Sequence, residues 1–518
     1  MSRGKAIIAG FLAGLVAAIG LLLMMLILAA LGVATPLTII GDRLSVFFEP
    51  GPFLALMGKV GGYNQLKQLG VGSTIAGMLL VGGLGGVVLA LFNRREETRL
   101  STVMTVILFV LLPIAAVALT LWPVLGTHYR GLPISPARLV TSIGFALCTI
   151  VYERILVSSW RFLTGRTEIS GNPEYSPPIG RRAVVLGGIG LVLAGGGAAL
   201  LRKLYRAATF SYDGTQYKGA GVQPITPNDQ FYCVTKNVID PKIDIALWHL
   251  EIDGLVQNPK TYRLEELKAL PSIEQETTLM CISNGLDAGL ISNARWKGIA
   301  LRELLAKASP LNTAAKVRLH GVDNYTDTFP LAKAMNPTTL VVYEMNGEKL
   351  PDRHGFPVRV IVPGYFGEKH VKWLTRIELT TADAKGFYET QGWGPDFIVP
   401  TRSRIDVPNA ESTFSLGKLN EPIEIKGIAY GGDRGISKVE LSFDYGQQWT
   451  EADIYYNGGD LAWSLWSARG GWRPDTAGNY GIVVRATDGK GEVQAFDPNR
   501  PFTSGTTGLH QINVYVTG

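Results

Sequence analysis

Cys281 is the residue of this 518-residue chain best placed to do chemistry. It follows an apolar run ending Thr278-Leu279-Met280 and precedes the turn-forming run Ser283-Asn284-Gly285, so it stands at a strand-to-loop switch from which a side chain can point into a pocket. A thiolate there is a soft, polarisable ligand suited to a transition metal. On chemistry alone, the competing reading of a small thiol buried in a core carries more weight. The chain has three cysteines in all. Cys148 lies in an apolar run, and neither a haem-attaching CxxCH nor an iron–sulfur cysteine set is present.

Residues 278–304 read TLMCISNGLDAGLISNARWKGIALREL, and residues 343–374 read YEMNGEKLPDRHGFPVRVIVPGYFGEKHVKWL. The first block resembles the cofactor signature of the sulfite oxidase family, in which a cysteine in a Cys-x-x-Asn turn ligates molybdenum and an Ile-Ser-x-Ala-Arg-Trp-x-Gly run follows. The second resembles that family's HGFPVR…VPG…G…VKWL segment. The turn Asp444-Tyr445-Gly446 with Trp449 resembles part of its dimerisation domain. Together these blocks cover residues 224–518 in the family's order.

The resemblance implies a mononuclear molybdenum–molybdopterin cofactor with Cys281 as the protein ligand to the metal. It also implies that Asn237, Asn284, Asp323, His354, Arg359, His370 and Lys372 hold the pterin and its phosphate. That set makes physical sense, because a dianionic phosphate favours Arg, Lys and His donors in charge-assisted hydrogen bonds. Arg295 and Trp296 carry less, and packing at a helix start explains them equally well. A Cys233–Cys281 disulfide would remove the metal ligand, so Cys233 is expected to be a buried free thiol.

The departures bear on substrate. Where sulfite oxidases follow the cysteine with Asn-Arg-Arg, this chain has Asn284-Gly285-Leu286-Asp287. A Phe-Val-Arg-Asn-His segment corresponds to Val234-Thr235-Lys236-Asn237-Val238, so Lys236 keeps a charge and loses the bidentate fork. The family's active-site tyrosine falls near Trp393, with Tyr388 close by. Lys236 is expected to meet a substrate oxygen, and Trp393 or Tyr388 to wall the pocket. Such a site suits a neutral S- or N-oxide, small or protein-bound, better than sulfite. The alternatives are a sulfite dehydrogenase and, in another class, a non-catalytic binding platform.

The elements that must position these residues divide at about residue 208. Residues 1–208 carry 18 Lys and Arg against 7 Asp and Glu, and the remainder carries 31 against 36. The basic excess thus belongs to the apolar part, where it faces anionic lipid, and the slightly acidic remainder argues against a nucleic-acid partner. Five stretches, 6–33, 71–92, 100–125, 136–157 and 183–201, approach the roughly 20 apolar residues needed to cross a bilayer. Arg94, Arg95, Arg99, Arg154, Arg161, Arg181 and Arg182 fall on one set of ends, which places that set in the cytoplasm and, with five spans, the soluble part outside the plasma membrane. Arg181 and Arg182 read equally as a twin-arginine export signal and as interfacial anchors. The glycines of 82–86 read as helix packing rather than a nucleotide loop.

The expected architecture is a helical membrane anchor over 1–208, a tether over 209–223, an α+β catalytic domain over 224–400 and an immunoglobulin-like β-sandwich over 401–518. Within it, 357–363 reads as a proline-bounded strand and Leu301–Ala308 as an amphipathic helix. A separate electron carrier, a cytochrome or a haem- or quinone-linked membrane protein, must serve such an enzyme, and a homodimer through the sandwich is among the expected assemblies.

Overall fold

The computed structural model describes residues 3–45, 47–92, 99–122, 130, 134–164, 188, 192, 195–200 and 202–518. The chain forms two compact units. One comprises Met1–Ser211 with Lys236–Lys242, the other Tyr212–Thr235 with Ile243–Gly518.

In the first unit, four helices among the described residues are long and apolar enough to cross a membrane: Arg3–Ala30, Tyr63–Phe92, Ser101–Leu121 and Ser135–Thr164. The fifth expected span, 183–201, falls for the most part outside the described residues. Small residues let the first two helices touch at the backbone. A Cβ built on Gly86 would lie 1.9 Å from the Gly10 carbonyl oxygen, and one on Gly14 2.3 Å from that of Gly82. Tyr152 seals the same seam by donating its hydroxyl to the Gly82 carbonyl at 2.7 Å. Large apolar side chains instead point outward: Leu119 is 81% exposed and Val81 68%. An apolar exterior around a small-residue interior is the polarity that lipid, not water, stabilises.

Strands of the second unit follow in order: β1 (Leu250–Gly254), β2 (Lys260–Tyr262), β3 (Ile273–Met280), β4 (Ile291–Ala300), β5 (Lys316–Gly321), β6 (Thr326–Pro330), β7 (Leu340–Met345), β8 (Glu348–Lys349), β9 (Arg359–Ile361) and β10 (Leu374–Thr380). One sheet runs β2-β1-β10-β5-β6, the other β3-β4-β7-β8 with β9 paired to β7. Trp248, Leu250, Val317, Phe329, Val341, Val360 and Ile377 fill one continuous core. The helix Leu301–Ala308 forms because Leu301, Leu304, Leu305 and Ala308 recur at i, i+3, i+4 and i+7, and all four are buried. Truncating one of those leucines to Ala would cost about 2–5 kcal/mol.

Three expectations need correction here. The proline-bounded strand is only Arg359–Ile361. Arg295 and Trp296 lie inside β4, not at a helix start, because Ile291–Ala300 is a central strand, buried over most of its length and paired with both β3 and β7; fully buried Trp296 donates its indole N–H to the Thr277 carbonyl at 3.0 Å. Nor is 209–223 a loose tether. Tyr217 is buried, stacks on Trp463 at 6.2 Å and donates its amide to the Gly289 carbonyl at 2.8 Å.

The C-terminal strands are β11 (Arg402–Val407), β12 (Ser412–Ser415), β13 (Lys426–Tyr430), β14 (Ile436–Ser442), β15 (Thr450–Asn457), β16 (Ser464–Ala468), β17 (Gly478–Asp488) and β18 (His510–Thr517). They form one curled eight-stranded sheet, β11-β13-β16-β15-β14-β17-β18-β12, with residues of both halves in a single core. Two four-stranded leaves are joined where β14 meets β15 through only Glu440↔Glu451 and Leu441↔Thr450, and β12 adds to β18 in parallel. Period-two patterning sets which face of each strand is buried, not how the leaves join.

Candidate functional site

The β3 strand ends at Met280, and the chain then closes a ten-residue loop that carries Cys281. The Cys281 amide donates to the Leu290 carbonyl at 3.0 Å, the Asn284 amide to the Cys281 carbonyl at 3.0 Å, and the Leu290 amide to Asn284 Oδ1 at 2.8 Å. Asn284 is therefore the clamp of the loop, and its buried side chain fixes where the thiol points. The C-terminal sheet holds the loop from behind: Arg402 donates to the Asn284 carbonyl at 2.8 Å, and Arg404, ion-paired with Asp406, to the Ala288 carbonyl at 2.7 Å. The Cys281 sulfur lies 3.1 Å from Ser283 Oγ, and burial pushes the thiol up to about 11. All three cysteines are free thiols.

The Gly367–Lys369 turn after β9 presses against the end of β3. A Cβ on Gly367 would meet the Tyr232 hydroxyl at 2.5 Å and the Met280 carbonyl at 3.3 Å. Next to it, both carboxyl oxygens of Glu368 are buried without a hydrogen-bond partner among the described residues. Burial pushes this carboxyl up to about 8, and its charge in turn raises the Cys281 thiol. Tyr388, on the short helix Phe387–Thr390, packs edge-on against Trp393 at 5.9 Å and Tyr325 at 5.8 Å. Burial, and then the nearness of Cys281 and Glu368, raise the Tyr388 hydroxyl. The structure thus brings Cys281, Tyr388 and Trp393 together as an aromatic-walled site, and adds Tyr232 and Glu368. Sequence reasoning missed both additions. The only signal for Glu368 was an acidic residue inside an otherwise basic block, Gly367-Glu368-Lys369-His370.

Around β9 lies the cationic set. Arg359 is buried. It donates to the His354 carbonyl at 3.1 Å and the His370 carbonyl at 3.0 Å, lies over the Trp296 ring, and has Nε without a partner among the described residues. Burial lowers it to about 10, so it stays charged near neutrality. Lys372 donates to the Arg353 carbonyl at 3.0 Å and to the Cys233 sulfur at 3.4 Å. Burial lowers His354 and His370 to about 3, which leaves both neutral. Both ring nitrogens of His370 are used internally, accepting from the Val362 amide and donating to the Tyr365 carbonyl, so it braces the strand. His354 keeps one ring nitrogen after donating to the Asn228 carbonyl at 2.9 Å. Asp323 sits in the β5–β6 turn and accepts the Tyr325 amide at 3.2 Å.

Lys236 and Asn237 take a different place. Both belong to the first unit, where Lys236 is ion-paired with Asp42 and the Asn237 carbonyl accepts from Lys67 at 2.9 Å. The ammonium expected to meet substrate is neutralised there because residues 236–242 pack with the N-terminal helices.

A partly exposed thiol on a clamped loop, together with a buried guanidinium carrying an unsatisfied N–H and a further lysine in the same domain, is a donor set for an anionic, thiolate-ligated metal cofactor. The donor set fits molybdopterin: a soft ligand for the metal and Arg359 Nε and Lys372 for the phosphate. Comparison with known proteins agrees. Residues 237–388 match the oxidoreductase molybdopterin binding domain, and residues 397–514 the Mo-co oxidoreductase dimerisation domain. The chain is 33% identical over 318 residues to the mitochondrial sulfite oxidase of Rattus norvegicus, covering 52% of this chain and 57% of that protein. It is 32% identical over 320 residues to the sulfite oxidase of Gallus gallus, covering 52% and 68%. The crystal structure of the sulfane dehydrogenase SoxCD from Paracoccus pantotrophus superposes with a TM-score of 0.50 at 23% identity over 56% of this chain and 81% of that one. The chain belongs to the sulfite oxidase family, and it is an enzyme whose cofactor is the molybdenum cofactor. It spans less than two thirds of the rat protein's length, so the relatives' own substrates do not transfer with the family.

Proposed function

We propose that this enzyme is a membrane-anchored oxidoreductase that removes oxygen from an uncharged S- or N-oxide, small or protein-bound, on the extracytoplasmic side. The observation that carries the reading is the buried Glu368 carboxyl beside Cys281, where a sulfite site needs arginines. A carboxyl kept protonated by burial, among aromatic walls, offers a dianion no countercharge and tolerates a neutral, polarised S=O or N–O group. Arg402 and Arg404, the guanidiniums bound to the loop of Cys281, are held by backbone carbonyls and by Asp406. Sulfite oxidation remains the second reading, favoured by the relatives' names alone.

Cys281 would ligate the metal, and Arg359, Lys372 and the free nitrogen of His354 would hold the pterin end. Asn284 would keep the thiolate aimed, while Tyr388 and Trp393 would exclude water from the substrate. When bound, the cofactor supplies the two-electron redox chemistry and the oxygen-atom exchange. The apolar helices would anchor the chain beside a haem- or quinone-linked electron carrier, and the dimerisation domain supports a homodimer.

The test is metal analysis and turnover of the full chain from a cofactor-competent host, beside Cys281→Ala. The reading expects near-stoichiometric molybdenum, turnover of dimethyl sulfoxide or trimethylamine N-oxide with reduced viologen, and neither in the variant. Turnover of sulfite with ferricyanide, and of no oxide, would replace it with the second reading.

A further inference from the structure

The short helix Phe387–Thr390 carries Tyr388 and leads into Trp393, yet it cannot hold itself in place. Four residues are far fewer than the roughly 12–15 that form a helix alone in water, and none of the four is fully buried. A carboxylate ties it down instead. Glu389 accepts from the Gly386 amide at 2.7 Å and from the hydroxyl of Thr328, on β6, at 2.6 Å. Behind it stands one buried ammonium. Lys369, with its side chain 1% exposed, donates to Asp327 of β6 at 2.6 Å, lies 3.6 Å from Glu389 and sits over the Phe397 ring at 3.7 Å. Lys316, 4.0 Å from Glu389 and more exposed, adds little. Asp327 Oδ1 comes so near the helix that a Cβ on Gly386 would lie 2.5 Å from it. Asp327 Oδ2 accepts the Tyr325 hydroxyl at 2.9 Å, and the Tyr325 ring packs on Phe387 at 5.7 Å and Tyr388 at 5.8 Å.

We propose that Lys369 is the positioning residue of the aromatic wall. One charge shared between Asp327 and Glu389 fastens the Phe387–Thr390 helix to β6 and to the Gly367–Lys369 turn, and so fixes where Tyr388 and Trp393 stand. The placement of those two rings then sets the size of substrate the pocket admits. The inference rests on the reading above that Tyr388 and Trp393 wall that pocket. A buried ion pair is weak evidence for stability, because neutral groups of similar volume often replace it without loss. What such groups cannot do is draw a partly exposed carboxylate inward. Glu389, its side chain 19% exposed, would keep its two hydrogen bonds without Lys369 and lose the charge that pulls it toward the interior. Tyr388 is its chain neighbour and moves with it.

The experiment uses the full cofactor-loaded chain in detergent. Lys369→Met alone would strand the buried Asp327 carboxylate, so the test variant is Lys369→Met/Asp327→Asn, which leaves no unpaired buried charge. Glu389→Gln is the second variant, and it keeps the Lys369–Asp327 pair. Amides at 390–393 bond to the carbonyls of Gly386, Tyr388 and Glu389, so their hydrogen exchange, read by mass spectrometry, reports the helix. It should quicken about 10-fold or more in the double variant and several-fold in Glu389→Gln, while Leu301–Ala308 exchanges as in wild type and molybdenum content holds. With reduced methyl viologen as donor, KM for dimethyl sulfoxide should rise about 10-fold with kcat within about twofold of wild type. The preference for dimethyl sulfoxide over the bulkier methyl phenyl sulfoxide should narrow. Unchanged exchange at 390–393 in both variants overturns the positioning role. Exchange quickened across the whole domain, or a fallen kcat with KM unmoved, makes Lys369 a general brace and overturns it equally. A metal-loaded wild type inert toward sulfoxides overturns the reductase reading, and exchange then decides the positioning role by itself.

Discussion

Arg402, on the first strand of the C-terminal sheet, donates to the backbone carbonyl of Asn284 at 2.8 Å, inside the loop that carries Cys281. The position of the thiol is therefore set partly by a neighbouring fold. Arg402 is buried, and burial lowers it only to about 10, so the bond is charge-assisted near neutrality. Arg402→Ala would leave a buried carbonyl unpaired at a cost of about 1–3 kcal/mol. Lower molybdenum occupancy should accompany a lower melting temperature. Unchanged occupancy would show that the loop holds itself.

Cys281→Ser should remove one sulfur from the metal's coordination shell, as counted by X-ray absorption, and reduce turnover to background. The side chain is only half-buried, so folding stability should change by less than about 1 kcal/mol. A loaded, active serine variant would remove Cys281 from the ligand set.

Arg359→Lys tests the phosphate end. Lysine retains the charge and loses the fork that holds the His354 and His370 carbonyls while leaving Nε for an anion. Pterin retention on gel filtration should weaken by about 10- to 100-fold in affinity, the usual cost of a lost cofactor-supporting contact. Full retention would assign Arg359 to bracing alone.

Lys236 and Asp42 form a largely enclosed ion pair, with side chains 9% and 15% exposed. Removing either partner strands the other, at about 3 kcal/mol for a well-buried pair. Lys236→Ala and Asp42→Asn should each destabilise the N-terminal unit in detergent, and the double variant by less than the sum of the two. KM for dimethyl sulfoxide should not move. A raised KM in Lys236→Ala alone would restore the lysine as a substrate contact.

Stability should peak at mildly acidic to neutral pH. Burial lowers His354 and His370 from 6.5 to about 3 and His510 to about 4, so the unfolded chain takes up protons that the folded one refuses, and stability is lost as pH falls from 6.5 through those values. Glu368 works in the opposite sense. Raised from 4.5 to about 8, it holds a proton in the folded state that the unfolded chain releases, so stability also falls as pH rises through that window. Thermal melts across pH should show both limbs, and Glu368→Gln should flatten only the alkaline one. A variant with the wild-type slope there would contradict the shift.

The sequence alone determined what depends on local pattern. It placed Cys281 at a strand-to-loop switch and gave the helix Leu301–Ala308 its buried face, because short-range spacing and side-chain type decide these. The blocks at 278–304 and 343–374 fixed the family for the same reason. Contacts distant in sequence were decided only by the tertiary structure. Lys236 finds Asp42 across 194 positions, Arg402 finds Asn284 across 118, and β14 joins β15 into a single curled sheet. Nothing in the local spacing marks Glu368 as unpartnered. Its isolation follows from where Lys369 goes, and Lys369 goes to Asp327, 42 residues away, because a buried ammonium must find a carboxylate and that one lies within 2.6 Å.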